Sequence, residues 1–216
     1  MARRRKDTRS IGRRSASRAP KRSILIVCEG EKTEPNYVSY FKQELRLANV
    51  HLEVCGAECG SDPLSVVEFG EKQFLKERSI DDCLCLIDRD GHNLQRFNAA
   101  KAKAVALDAK SRDRDFVVHV SDPCIEYWFI LHFRYLRTPF VKQGQKSRAE
   151  VAFDKLKEVW PEYEKGSRDI GSHLAGQIDE ACKNAERAMK DARDTGEPNP
   201  STAMHLFIER MMKAKS

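Results

Sequence analysis

From residue 23 onward, short uninterrupted apolar runs alternate with longer stretches in which apolar residues return at helical spacing. Ser23-Ile24-Leu25-Ile26-Val27-Cys28 carries no charge, the pattern of a strand buried on both faces. Thr33 can cap the helix that follows, with Pro35 tolerated in its first turn and Tyr37, Phe41 and Leu45 on one face. His51–Gly56 reads as a second strand. Asp62-Pro63 then opens a helix to about Arg78, with Leu64, Val67, Phe74 and Leu75 inward. Asp82–Ile87 is a third strand, Leu94–Ala109 a helix with Leu94, Phe97, Val105 and Leu107 in its stripe, and Asp115–Val120 a fourth strand. Ser121-Asp122-Pro123 turns the chain into an apolar helix over Cys124–Phe133. This β-α-β-α-β-α-β-α order predicts an α/β fold, a mainly parallel sheet with helices on both faces.

Beyond Phe133 the pattern changes. Thr138–Lys146 is a polar loop, and helices alone are expected after it, over about Ser147–Val159, Gly171–Arg193 and Ser201–Lys213. Pro198 and Pro200 separate the last two, with Ser201 as cap. The expected organisation is therefore a basic tail over 1–22, an α/β core over 23–137 and a helical C-terminal layer over 138–216. No apolar run approaches the roughly 20 residues of a membrane helix. The basic N-terminus lacks the apolar segment of a secretory signal. A cytoplasmic protein with no membrane contact is expected.

Charge sharpens this division. The 216 residues carry 39 Lys and Arg against 33 Asp and Glu, a net charge of +6. Residues 1–22 hold ten of the bases and one acid, Asp7, so the remaining 29 bases and 32 acids leave the body slightly acidic. The tail is poor in large apolar side chains and rich in Ser and Arg, so disorder is expected of it, with two readings open: contact with a nucleic-acid backbone, or a solvated arm that only aids solubility. The seven cysteines are odd in number and scattered through apolar segments, which predicts buried reduced thiols. Cys55 and Cys59 form a lone C-x3-C with only His51 nearby, too little for a zinc site.

Four acids fall immediately after strands. Glu29 follows the first, in Val27-Cys28-Glu29-Gly30-Glu31; Asp88 and Asp90 end the third, in Leu86-Ile87-Asp88-Arg89-Asp90-Gly91; Glu126 lies just past the fourth. In a parallel sheet these positions border the crevice at the carboxyl ends of the strands, where ligands bind. Asp88 and Asp90 point the same way while the chain is extended, and Arg89 points opposite. Paired carboxylates of this kind suit Mg²⁺ or Mn²⁺, which accept oxygen ligands and phosphate oxygens. Gly30 and Gly91 leave room for close approach by a phosphate or backbone.

These segments carry a resemblance. A hydrophobic strand ending in Glu29-Gly30, then a second ending in Asp88-x-Asp90, is similar to the TOPRIM domain of topoisomerases, primases and OLD-type nucleases. More narrowly, Ile26-Val27-Cys28-Glu29-Gly30-Glu31-Lys32-Thr33-Glu34-Pro35-Asn36-Tyr37, Ile87-Asp88-Arg89-Asp90, Ser121-Asp122-Pro123-Cys124-Ile125-Glu126-Tyr127-Trp128 and Asn199-Pro200-Ser201-Thr202 resemble the RloB-like proteins over about residues 23–212. The resemblance implies a TOPRIM-like α/β fold and Mg²⁺-dependent phosphodiester chemistry. In TOPRIM proteins the position matching Glu29 is a metal ligand or general acid/base, and those matching Asp88 and Asp90 hold metal. It also implies a toxic nuclease effector of antiphage defence that works with an ABC-type or OLD-like ATPase partner. RNA, tRNA in particular, is favoured over DNA as substrate.

The expected chemistry is then metal-assisted hydrolysis by Glu29, Asp88, Asp90 and Glu126, with Lys32 and Arg89 as substrate-contacting cations. Trp128, Phe129 and Phe133 are expected in the core, and His132 as a core or capping residue. The chain has no Gly-x4-Gly-Lys-Ser/Thr loop, so the ATPase would be a separate protein. Self-association into a homo-oligomer is compatible with all of this. Two alternatives stand beside it. One is an HAD-like phosphatase using Asp88 as nucleophile, which the strand order disfavours; the other is a non-catalytic nucleic-acid-binding regulatory subunit.

Overall fold

In the computed structural model, which describes residues 22–55, 62–91, 93–111 and 113–215, the apolar runs do form the strands of one sheet. In chain order the elements are β1 (Ile24–Cys28), α1 (Thr33–Glu44), β2 (Val50–Val54), α2 (Pro63–Lys76), β3 (Asp82–Asp88), α3 (Leu94–Lys110), β4 (Asp115–Asp122) and α4 (Ile125–Ile130). The C-terminal region adds α5 (Arg148–Lys157), α6 (Ile170–Leu174), a 3-10 turn over Ala175–Gln177, α7 (Ile178–Thr195), β5 (Ser201–Thr202) and α8 (Met204–Lys215). The sheet order is β2-β1-β3-β4-β5, with the first four strands parallel and β5 antiparallel to β4.

Strand alternation divides the core into two layers. Ile24, Ile26 and Cys28 of β1, with Leu84 and Leu86 of β3, face α1, α4 and the C-terminal helices. Leu25 and Val27, with Cys83, Cys85 and Ile87, face α2 and α3. Both faces of the central strands are therefore covered, the usual condition of a parallel sheet. The first layer extends without a break into Tyr163, Leu174, Ala181 and Phe207, so the C-terminal helices share a core with the sheet. Within that layer, all six residues of α4 are buried, and the indole Nε1 of Trp128 donates to the Tyr37 hydroxyl at 2.7 Å.

Several expectations need correction. The C-terminal region is not helical throughout. Ser201 and Thr202 pair with Asp122 and Ser121, so Ser201 is a strand residue and not a helix cap. Thr33 does not cap α1, because its hydroxyl accepts instead from the backbone N–H of Gly166 at 3.1 Å. Leu75, Leu94 and Val105 are exposed. Leu75 and Val105 each come one residue after an inward one (Phe74, Ala104), and a single helical step of about 100° turns them away from the sheet. Arg22, assigned to the tail, forks onto the Asp82 carboxylate at 2.6 and 2.9 Å and belongs to the folded body. The rest of the tail lies outside the described residues.

Cys28, Cys83, Cys85 and Cys124 are buried free thiols and Cys182 a half-buried one, whereas Cys55 is disulfide-bonded, against the expectation of reduced thiols. Cys59 lies outside the described residues. Trp128, Phe129 and His132 are buried as expected, with the His132 ring 3.0 Å from the Trp128 carbonyl oxygen. Among the described residues, no helix is long and apolar enough to cross a membrane.

Candidate active site

The connection from β1 to β2 runs one way across the sheet, and the next returns over β1 to β3, so the order reverses between β1 and β3. Ligands in open parallel sheets bind outside the carboxyl ends of the strands at such a point. Glu29 and Asp88 stand there. Cys28 is in register with Leu86, and the Glu29 carboxylate accepts from the Asp88 backbone N–H at 3.1 Å. Asp88 continues the alternation of Leu84 and Leu86, so its side chain emerges on the face covered by α1 and α4.

A cavity of about 280 Å³ opens on that face. Glu29, Asp88, Asp90 and Glu126, the four acids singled out by their places after strands, all line it, together with Glu34, Thr33, Cys124 and Lys165. Asp90 is brought round by the turn after β3, where the backbone N–H groups of Arg89 and Asp90 both donate to the Pro123 carbonyl. Glu126 comes from the first turn of α4 and is 3 % exposed. Its Oε1 accepts from the Tyr163 hydroxyl at 3.2 Å and lies 3.5 Å from Lys165 Nζ.

The electrostatics are dominated by negative charge in a confined space. Burial, then repulsion from Glu34, Glu126 and Glu29, holds the Asp88 carboxyl well above the usual carboxylate range. The Glu34 carboxyl is pushed up to about 7, again by burial first and by Glu126 and Glu29 after it. Burial opposes the charge on Lys165, yet Glu126 and its neighbours hold its ammonium above the ordinary lysine value. A second knot of charge borders the cavity. Arg148 reaches Asp122 at 3.1 Å and Asp90 at 3.5 Å, while burial pushes the Asp122 carboxyl up against the pull of both Arg148 and Arg89.

The two expected substrate cations lie elsewhere. Lys32 is exposed and lines a neighbouring cavity of about 320 Å³ instead of the acidic one. Arg89 points away, with its guanidinium 4.6 Å from the centre of the Phe97 ring and 4.0 Å from Asp122. Glu34, Tyr163, Lys165 and Arg148 were not picked out from the sequence. A Cβ on Gly30 would come within 2.2 Å of the Glu34 carboxylate, so this glycine leaves space for the second acid. Tyr163 and Lys165 come from the loop between α5 and α6. That loop is tied to α1 by the Gly166–Thr33 contact and by Asn36, whose side-chain amide donates to the Gly166 carbonyl at 2.8 Å. No local pattern marks such a loop.

No curated protein and no solved structure matches this chain. The family model of the RloB-like proteins matches residues 24–211, which takes in β1 and Glu29, the turn with Asp88 and Asp90, α4 with Glu126, and the loop with Lys165. The chain belongs to the RloB-like protein family.

Proposed function

We propose that this chain is a Mg²⁺-dependent phosphodiesterase that hydrolyses nucleic acid, RNA in preference to DNA. One observation carries the proposal: five carboxylates, Glu29, Glu34, Asp88, Asp90 and Glu126, line a single cavity at the carboxyl ends of β1, β3 and β4. All are oxygen donors, the set taken by Mg²⁺ or Mn²⁺. Burial first, and then the Glu34, Glu126 and Glu29 carboxylates, raise the Asp88 carboxyl, and the second part is an excess of negative charge that a hard cation offsets. Among the described residues, no three His, Cys, Asp or Glu side chains are gathered closely enough to hold a metal ion as they stand. The fit is thus one of donor chemistry and placement around the cavity, not of preset ligand geometry.

Glu29, Asp88 and Asp90 would hold the cation. When bound, it supplies a Lewis acid for a phosphoryl oxygen and a water acidic enough to attack near neutral pH. Glu126, steadied by Tyr163, takes the proton from the attacking water as the new P–O bond forms. The opposite P–O ester bond breaks and its oxygen leaves with a proton from solvent. Lys165 offers a positive charge at the mouth of an otherwise acidic cavity and meets the phosphate there. Membership of the RloB-like family supports the wider role, a toxic effector of antiphage defence acting with an ABC-type or OLD-like ATPase partner.

The test is to incubate the full chain, alone and with its ATPase, with tRNA, other RNA and DNA, with and without Mg²⁺. Metal-dependent cleavage that disappears in Glu29→Ala and Asp88→Ala, both still folded, is expected. Full activity in either variant would remove the assignment. Absence of cleavage with the partner present would favour the non-catalytic reading.

A further inference from the structure

Lys165 borders more than the acidic cavity. On its other side lies a space of about 510 Å³ lined by Glu150, Phe153, Lys157, Tyr163, Glu164 and Lys165. That volume is in the ~300–1,000 Å³ range of small-ligand sites. Its character differs from the first, because its walls include two aromatic rings and two ammonium groups. Tyr163 is fully buried and fixed at both ends. Its hydroxyl is on Glu126, and its carbonyl accepts from Lys157 Nζ at 3.1 Å. The Phe153 ring leans on Tyr163 with centroids 5.7 Å apart, but Phe153 itself is only partly buried, so part of it is open to the cavity. Lys165 Nζ lies 5.6 Å from the centre of that ring, at the junction of the two cavities.

An aromatic face held rigid from behind, with a cation at its edge and a carboxylate at its rim, has the chemistry of a nucleobase site. Bases stack on such rings whatever their sequence. Exposed Glu164 can accept from a ring or exocyclic N–H, and Lys165 is shared with the cavity where the phosphate would lie. We infer that this second cavity receives the base next to the scissile phosphate, stacked on Phe153 while Lys165 spans to the phosphate itself. The inference rests on the acidic cavity being a phosphodiesterase site, and it adds a selection rule. A base stacked and paired inside a helix cannot enter, so the enzyme takes single-stranded or flipped-out nucleotides and refuses regular duplex.

The test reads binding apart from cleavage. The full chain, with Ca²⁺ in place of Mg²⁺, is titrated into short RNA and DNA strands carrying 2-aminopurine at each position in turn, and into the same strands as duplexes. Single strands are expected to bind with quenched fluorescence at one or two positions and duplexes to bind far more weakly. Phe153→Ala and Phe153→Leu should lose the quenching and weaken binding about 5- to 150-fold, and Phe153→Tyr should keep both. Phe153→Leu retains apolar volume, so its loss of quenching is read from a folded chain. Unchanged quenching in Phe153→Leu, equal affinity for duplex, or no binding of any strand by the unmodified chain would overturn the pocket. Phe153-dependent quenching without cleavage in Mg²⁺ would keep the pocket and sink the catalytic reading. Cleavage with unchanged KM in Phe153→Leu would do the reverse.

Discussion

The hydroxyl of Tyr163 donates to Oε1 of Glu126 at 3.2 Å, so a loop between two C-terminal helices sets the position of an acid at the end of the parallel sheet. Both side chains are almost wholly buried, so the bond is made with little competition from solvent. Tyr163→Phe is therefore expected to cost on the order of 1.5–3 kcal/mol, the usual range for a hydrogen bond to a charged group. If Glu126 takes the proton from water, the same change should slow cleavage on the order of 10–100-fold through misplacement alone. Urea unfolding and single-turnover cleavage would measure the two effects, and an unaltered midpoint would show that the bond contributes nothing.

Asp88 gives a prediction of opposite sign. Its carboxyl is held above the ordinary value, so its ionised form costs the folded chain stability at high pH, and that cost fades as pH falls through the raised value. In chelator at pH 8, Asp88→Asn should be more stable than the unmodified chain. Millimolar Mg²⁺ should reverse the ranking, since a ligand at about 100 times its Kd stabilises by about 2.7 kcal/mol and the variant has lost a ligand. Thermal melting with and without Mg²⁺ decides this.

Buried histidines set the acid limit. Burial, helped by Arg210, lowers His119 to about 3, and burial lowers His132 to about 4. A histidine whose folded value is depressed binds its proton more readily when unfolded. Its contribution is complete above the unfolded value of about 6.5 and is lost as pH falls toward the folded one. Stability should drop on the order of 3 kcal/mol for each between pH 6.5 and 4. His132→Gln, which can still bond the Trp128 carbonyl, should flatten that drop in denaturant midpoints measured across the window.

Gly166 is the position most sensitive to an added methyl group in the loop that carries Lys165. Its φ is +76, and a Cβ there would come within 2.9 Å of the Lys32 side chain. Gly166→Ala should cost about 1–3 kcal/mol. It should also raise KM more than it lowers kcat if Lys165 holds the phosphate. A change confined to the melting temperature would separate the loop's structural part from a part in binding.

The legible features were those with local signatures. The uncharged run Ile24–Cys28 and the run ending at Asp88 read as buried strands, and acids directly after them meet at one edge of the sheet when the strands are neighbours, as β1 and β3 are. The cap at Asp62 was equally readable, because Asp before Pro at a helix start bonds its own first turn. What escaped depended on distant partners. Thr33 looked like a cap until Gly166, 133 residues on, supplied another donor. Ser201 and Thr202 are too few to show strand periodicity, and they form a strand only because the edge of β4 is there to pair with. Lys165 has no pattern of its own and matters because its loop is tied to α1.

The core around α4 also fixes when the protein can finish folding. A helix with no solvent face needs cover on every side, and part of that cover comes from α7 and β5, far downstream in the chain; the Asn184 side-chain amide of α7 donates to the Leu131 carbonyl at the end of α4 at 2.9 Å. The ribosome makes the acids of β1 and β3 first, Tyr163 and Lys165 much later, and the covering residues of α7 and β5 later still. A nascent chain therefore holds an incomplete site for most of its synthesis. The cell meets the finished cavity only once the loop of Lys165, α7 and β5 have been made and docked.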